Sequence, residues 1–215
     1  MKLHWRKLLS YFPASLERHF YNRYFSIDDR QWVSAQKPGS SHLQKQKIIR
    51  NVAVRHNLEV LVETGTFMGD MIYAMLPHFK RLYSIELSNH FYKQACQRFK
   101  STRNVVLLNG DSSIKLIDVV KQLEQPAVFW LDGHYSGGIT AKGDKECPVY
   151  EEIESIFQSS LPHIILIDDA RLFVGANDYP QLQDFEFYVH RQKPGYRFFV
   201  ENDIIQIIPN KPEHV

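Results

Sequence analysis

The sequence predicts an α/β protein, a doubly wound, seven-stranded, mostly parallel sheet closed by a C-terminal antiparallel hairpin and preceded by a helical extension. Three observations predict it. From residue 58 onward, short apolar runs alternate with segments of helical period. Those runs are continuously apolar rather than alternating, as expected of parallel strands covered on both faces. The last two runs are separated only by Glu201-Asn202-Asp203, a polar turn that joins neighbouring antiparallel strands.

The elements follow in order. Residues 1–25 are basic and aromatic, with Trp5, Tyr11, Phe12, Phe20 and Phe25 at rough helical spacing interrupted by Pro13. They read as a helical extension that packs on the main domain or on a second subunit. A membrane-surface or partner-binding helix is the other reading. Residues 26–39 form a connector ending at Pro38-Gly39, and Ser40-Ser41 caps a helix to about residue 55. Strands are expected at 58–62, 82–85, 105–108, 127–131 and 163–167. Helices are expected at 70–79, 89–100, 112–123 and 149–158. A helix over 182–192 leads into the hairpin strands 196–200 and 204–208. The chain thus divides into an extension and connector over 1–56 and one main domain over 57–215.

Composition narrows the function classes. The chain has 215 residues, 44% of them apolar and 23% charged, with a net charge of +2. That length gives one substantial core. No dense basic patch calls for nucleic acid. No apolar run approaches the roughly 20 residues of a membrane span, and the N-terminus lacks the apolar core of a signal peptide. Cys96 and Cys147 have no metal-type spacing. A reduced cytoplasmic setting is expected.

The first strand runs into Glu63-Thr64-Gly65-Thr66-Phe67-Met68-Gly69, an acid followed by spaced glycines at a strand-to-helix turn. Such a turn leaves its backbone bare enough for a ligand. The second strand ends in Glu86, and the third runs into Gly110-Asp111-Ser112. In an open parallel sheet these strand ends face one crevice. The glycines are four apart with no third in place, so they do not spell the three-glycine dinucleotide fingerprint. A plainer reading exists for each acid. Glu63 and Asp111 would cap the helices that follow them, and Glu86 would be a solvated turn acid.

These motifs, in order and with the terminal hairpin, resemble the class I S-adenosylmethionine-dependent methyltransferases over roughly residues 58–208. The resemblance implies a Rossmann-like fold that binds S-adenosylmethionine. It places Gly65, Thr66 and Gly69 in the turn against the donor and Glu63 near the methionine amino group. Glu86 would take both ribose hydroxyls, and Asp111 with Ser112 would meet the adenine edge.

A second constellation follows the fourth and fifth strands, in Asp132-Gly133-His134-Tyr135 and Asp168-Asp169-Ala170-Arg171. Three carboxylates in one cleft repel unless a hard divalent cation joins them. The pattern resembles the metal-dependent O-methyltransferases of the catechol and macrolide-sugar type, which implies magnesium held by Asp132, Asp168 and Asp169. The ion would acidify an acceptor hydroxyl. His134 is the candidate general base beside Asp132, while Tyr135 and Arg171 would orient the substrate. The glycine-containing insert 136–148 reads as a lid. The plainer reading pairs Asp169 with Arg171. The catechol type carries a lysine after the fourth-strand acid and an asparagine in the later pair, and here His134 and Asp169 stand instead.

The expected activity is magnesium-assisted methylation of a small-molecule hydroxyl, on a sugar or diol. No nucleic acid or membrane insertion is expected, and the aromatic extension is a candidate for self-association. Two alternatives stand beside it, a metal-independent methyltransferase and a non-catalytic partner-binding module on the same fold.

Overall fold

The computed structural model describes residues 14–133 and 147–210. The chain divides into two compact units, Met1–Lys47 and Ile48–Val215.

In the first unit a long helix α1 (Ala14–Ser34) carries Tyr21 and Phe25, both buried. Phe25 stacks on His42 with ring centres 4.3 Å apart, and the Tyr21 hydroxyl meets His42 Nε2 at 3.2 Å. Helix α2 (His42–His56) starts as the sequence predicts, one residue after Ser41. Ser41 Oγ accepts from the Gln44 N–H at 3.2 Å and Gln44 Oε1 accepts from the Ser41 N–H at 3.1 Å, a reciprocal capping box.

In the second unit the strands are β1 (Val60–Thr64), β2 (Arg81–Glu86), β3 (Val105–Asn109), β4 (Val128–Leu131), β5 (Ile164–Ile167), β6 (Tyr196–Glu201) and β7 (Ile204–Pro209). They form one sheet in the order β3-β2-β1-β4-β5-β7-β6. β1 through β5 run parallel, and β7 runs antiparallel to both β5 and β6. The helices between them are α3 (Asp70–Met75), α4 (Asn89–Arg98), α5 (Ser112–Gln122), α6 (Val149–Phe157) and α7 (Leu182–Gln192). β1, β4 and β5 are buried along their whole length, which explains their continuous apolar sequence. The strand order reverses between β1 and β4, where an open α/β sheet opens its crevice. No helix among the described residues is long and apolar enough to cross a membrane.

The stretch 26–39, expected as a connector, is helical as far as Ser34, since α1 runs on through it, and several element ends shift from the expected ones, among them the following three. β1 starts at Val60 rather than 58 because Leu58 belongs to the end of α2. Its N–H bonds the Ala53 carbonyl at 2.9 Å and the Asn57 N–H bonds Val54 at 3.3 Å, while Asn57 takes a left-handed φ of 53°. α3 stops at Met75 because Pro77 has no N–H to continue it. The hairpin turn has two residues rather than three. Asn202 and Asp203 both have positive φ, 53° and 62°, which suits the twist of the flanking strands.

At the foot of the sheet, opposite the crevice, His163 is buried. Its Nδ1 accepts from the Ala127 N–H at 3.1 Å, and Nε2 lies 3.0 Å from Ser159 Oγ. Burial pushes its pKa down to about 4, so this histidine is a neutral pin between β4 and β5.

Candidate functional site

The crevice is built from strand exits. Gly65 leaves β1 with φ 83°. A Cβ there would overlap the Asp132 carbonyl and come within 2.9 Å of Gly133 Cα, so the β1 turn lies directly on the exit of β4. Gly69, with φ 72°, stands at the N-cap position of α3. Between them Phe67 has φ 46°, a conformation costly for a bulky residue. Two contacts hold it there. Its N–H donates to Glu86 Oε2 at 2.7 Å, and its ring packs on Phe91 at 4.7 Å. Arg98 of α4 fastens the far end of the turn, donating to the Met68 carbonyl and to Asp70 Oδ1.

Glu86 is buried at the end of β2. Its second oxygen, Oε1, accepts from the Ser88 N–H at 2.8 Å. It is therefore a fixed carboxylate rather than a solvated turn acid. Each oxygen can accept a second bond, so the carboxylate remains able to take a vicinal diol. Asn109 ties the exit of β3 to this point, donating to the Glu86 carbonyl at 2.7 Å. Asp111 caps α5. Its Oδ1 accepts from the Ser113 N–H at 2.9 Å and from Ser113 Oγ at 2.7 Å. Ser112, the first residue of α5, is half-buried.

Glu63 faces the space between β1 and β2. Its Oε2 accepts from Ser84 Oγ at 2.5 Å, and that hydroxyl lies 2.5 Å from Thr66 Oγ1. Burial pushes its carboxyl up to about 8, opposed by the Ser84 bond and reinforced by Glu86 and Asp70. The folded chain holds this proton at neutrality, whereas an exposed Glu releases it near 4.5. The stabilisation is complete below the lower value and is lost as pH rises through the upper one. Glu63→Gln, which carries the neutral shape permanently, should abolish that loss. Urea unfolding from pH 5 to 9 checks it, and parallel profiles for the two proteins would count against the assignment.

The carboxylates that follow β4 and β5 stand in different surroundings. Asp169 takes a left-handed φ of 59° and pairs with Arg171 at 2.8 Å. Arg171 also pairs with Asp203 of the β6–β7 turn, and its own N–H bonds Asp203 Oδ1 at 2.8 Å. Arg171 is thus a structural tie between the β5 exit and the hairpin. Asp168 is fully buried and Asp132 half-buried. Among the described residues no group of three or more His, Cys, Asp or Glu side chains is arranged to hold a metal ion. His134 and Tyr135 lie outside the described residues, as does nearly all of the insert 136–148.

Two further residues lie near these sites, Tyr179 in the loop after β5 and Glu152 on α6. Tyr179 is buried, and its phenol is pushed up by burial first and then by Cys147, Asp169, Asp132 and Asp168. It therefore lies within electrostatic reach of all three aspartates. Glu152 is fully buried on α6 beside Thr64 and Ser112. The signal for Glu152 was its position. It falls at 152 among Val149, Ile153 and Ile156, the buried stripe of that helix.

A seven-stranded sheet with an antiparallel last strand, a glycine turn at the switch point and an acid ending β2 define the class I methyltransferase fold. Solved structures agree. A Podospora anserina methyltransferase bound to S-adenosylhomocysteine is similar with a TM-score of 0.60 and 16% identity, over 93% of this chain and 89% of that one. The O-methyltransferase TomG of Streptomyces achromogenes, involved in tomaymycin synthesis and solved with S-adenosylmethionine, gives 0.56 and 16%, over 87% and 89%. A Bacillus cereus O-methyltransferase with S-adenosylhomocysteine gives 0.56 and 15%, over 83% and 87%. At such identities the likeness establishes the fold. No protein-family model matches the chain, and no curated protein matches it in sequence.

Proposed function

We propose that this chain is an S-adenosylmethionine-dependent methyltransferase that acts on a hydroxyl of a small molecule, a sugar or another diol. Residues 57–215 would carry the activity, with 1–56 as a helical extension. The observation that carries the reading is the joint geometry of Gly65 and Glu86. Gly65 has no room for a side chain of its own, because the Asp132–Gly133 backbone fills that position, and the bare turn lies beside a buried carboxylate held by two backbone N–H groups. The donor fits these residues. Glu86 would accept from the ribose hydroxyls, and Gly65, Thr66 and Gly69 would give the amino-acid end close backbone approach. Leu87, partly exposed directly after Glu86, offers the base an apolar surface beside Asp111 and Ser112. The bound donor supplies an electrophilic methyl group, and the protein supplies alignment of an acceptor oxygen with it. The neighbouring structures that hold the same donor or its product support this reading.

Magnesium fits the described residues less well. With Asp169 committed to Arg171, an ion would be left with Asp132 and Asp168 as carboxylate ligands. The metal-independent reading is favoured by that pairing, and in it Asp168 or His134 takes the acceptor's proton. Thermal-shift titration with S-adenosylhomocysteine tests the donor, and a saturable rise in melting temperature is expected, unchanged by EDTA. No rise at millimolar ligand would refute the reading. Asp168→Asn should lower turnover on a diol acceptor by about tenfold or more, in the range of a positioned acid–base group. Turnover that survives EDTA but not Asp168→Asn assigns Asp168 to the acceptor, and turnover lost in EDTA assigns an ion.

A further inference from the structure

Glu152 sits where a structural role alone explains it poorly. It is fully buried on α6, between apolar Val149, Ile153 and Ile156. Neither carboxyl oxygen has a hydrogen-bond partner among the described residues, and the buried Thr64 hydroxyl next to it has none either. Buried polar groups are paired in nearly every native protein, and leaving one unpaired costs stability. A leucine at 152 would complete the apolar stripe at no such cost. The polar groups beside Glu152 from other elements, Thr64, Ser112 and Asp111, lie at the strand exits that form the crevice. Thr64 is the last residue of β1, directly before Gly65, and its side chain abuts Gly133 at the exit of β4. Ser112 and Asp111 begin α5. The Thr64 and Ser112 hydroxyls lie close enough to favour the charged form of Glu152, although neither reaches hydrogen-bonding geometry.

We propose that Glu152 is a positioning residue of the donor crevice, one whose carboxyl bridges the Thr64 and Ser112 hydroxyls when the donor binds and so fixes the β1 exit against the start of α5. This rests on the methyltransferase reading above. The bridge acts through the Gly65 turn and through Asp111-Ser112, the two ends between which the donor would lie. Its protonation reinforces the effect. Burial pushes the carboxyl up to about 7, with Ser112 and Thr64 opposing and Asp111 and Glu151 adding. A proton on Glu152 removes its repulsion of Asp111, so donor affinity varies with pH around neutrality. Glu63 on β1, on the other face of the sheet, also titrates in this range.

Calorimetric titration of the full chain with S-adenosylhomocysteine, from pH 6 to 8.5, tests this. Glu152→Leu should bind about tenfold more weakly than wild type while its melting temperature is unchanged or higher, since apolar replacement of a buried charged group is often neutral or stabilising. Glu152→Gln, which can still bridge two hydroxyls, should bind within about twofold of wild type at pH 6.5. It should also lose the pH dependence that Glu63→Gln leaves in place. Wild-type affinity in Glu152→Leu would overturn the proposal, as would loss of affinity matched by loss of stability. If Glu152→Leu does not fold, a Glu152→Gln pH profile identical to wild type would overturn it. Absence of binding by wild type would instead overturn the methyltransferase reading beneath it.

Discussion

Gly65→Ala should melt on the order of 10 °C below wild type and should no longer take up S-adenosylhomocysteine. Two effects add. A side chain at φ 83° meets the left-handed penalty, about 1–2 kcal/mol. Its Cβ also meets the Asp132 carbonyl and Gly133 Cα, which are backbone atoms and cannot rotate away. Overpacking of that kind costs about 1–3 kcal/mol. Relief of the clash requires the β1 and β4 exits to separate, and they are the two walls of the crevice at the switch point. Stability and donor uptake should therefore fall together, read by differential scanning fluorimetry and by calorimetry. Gly69→Ala makes the contrast. Its Cβ meets only the rings and flexible chains of Phe99 and Arg98, so a smaller loss is expected there. Equal behaviour of the two variants would mean that the close approach to Asp132 does not shape the site.

Glu86→Ala is the second large effect. Wild-type Glu86 holds the Phe67 and Ser88 N–H groups at 2.7 and 2.8 Å, and Phe67 keeps its strained φ only while that bond and the Phe91 packing hold. Removing the carboxylate leaves the Phe67 and Ser88 N–H groups to water, at a cost below the roughly 1–3 kcal/mol of a fully buried donor, and releases the Phe67 turn. It also removes the acceptor proposed for the ribose hydroxyls, whose charge-assisted bonds would be worth about 1.5–3 kcal/mol each. Affinity for S-adenosylhomocysteine should drop by at least about tenfold, and more if both hydroxyls bind. Unchanged affinity by calorimetry would remove Glu86 from the donor site.

Most of the sheet was legible in the chain because burial on both faces writes itself as unbroken apolar runs. The hairpin was legible because a short polar turn joins two such runs. The glycine turn after β1 and the acid ending β2 were legible as well. Both are local features, and local features survive in sequence. The details that escaped are non-local. Asp169 pairs with Arg171, as the plainer reading of the sequence had it, but Arg171 also reaches Asp203 some thirty residues on, a contact that only the antiparallel return of β7 brings about. Tyr179 comes within electrostatic reach of the aspartates in the loop after β5, where Phe173 packs against it at 5.5 Å. Glu152 was given no role, although its place among Val149, Ile153 and Ile156 puts it, and not Glu151, on the buried stripe of α6. The ends of elements moved for a similar reason. The left-handed Asn57 and the missing N–H of Pro77 override periodicity within one or two residues.

A crystal structure of the full chain with S-adenosylhomocysteine tests the central claim most directly. The expected result is a ligand lying over the Gly65 turn with both ribose hydroxyls on the Glu86 carboxylate and its base beside Asp111 and Ser112. A ligand bound elsewhere, or the Phe67 ring filling the space over Gly65, would contradict the account.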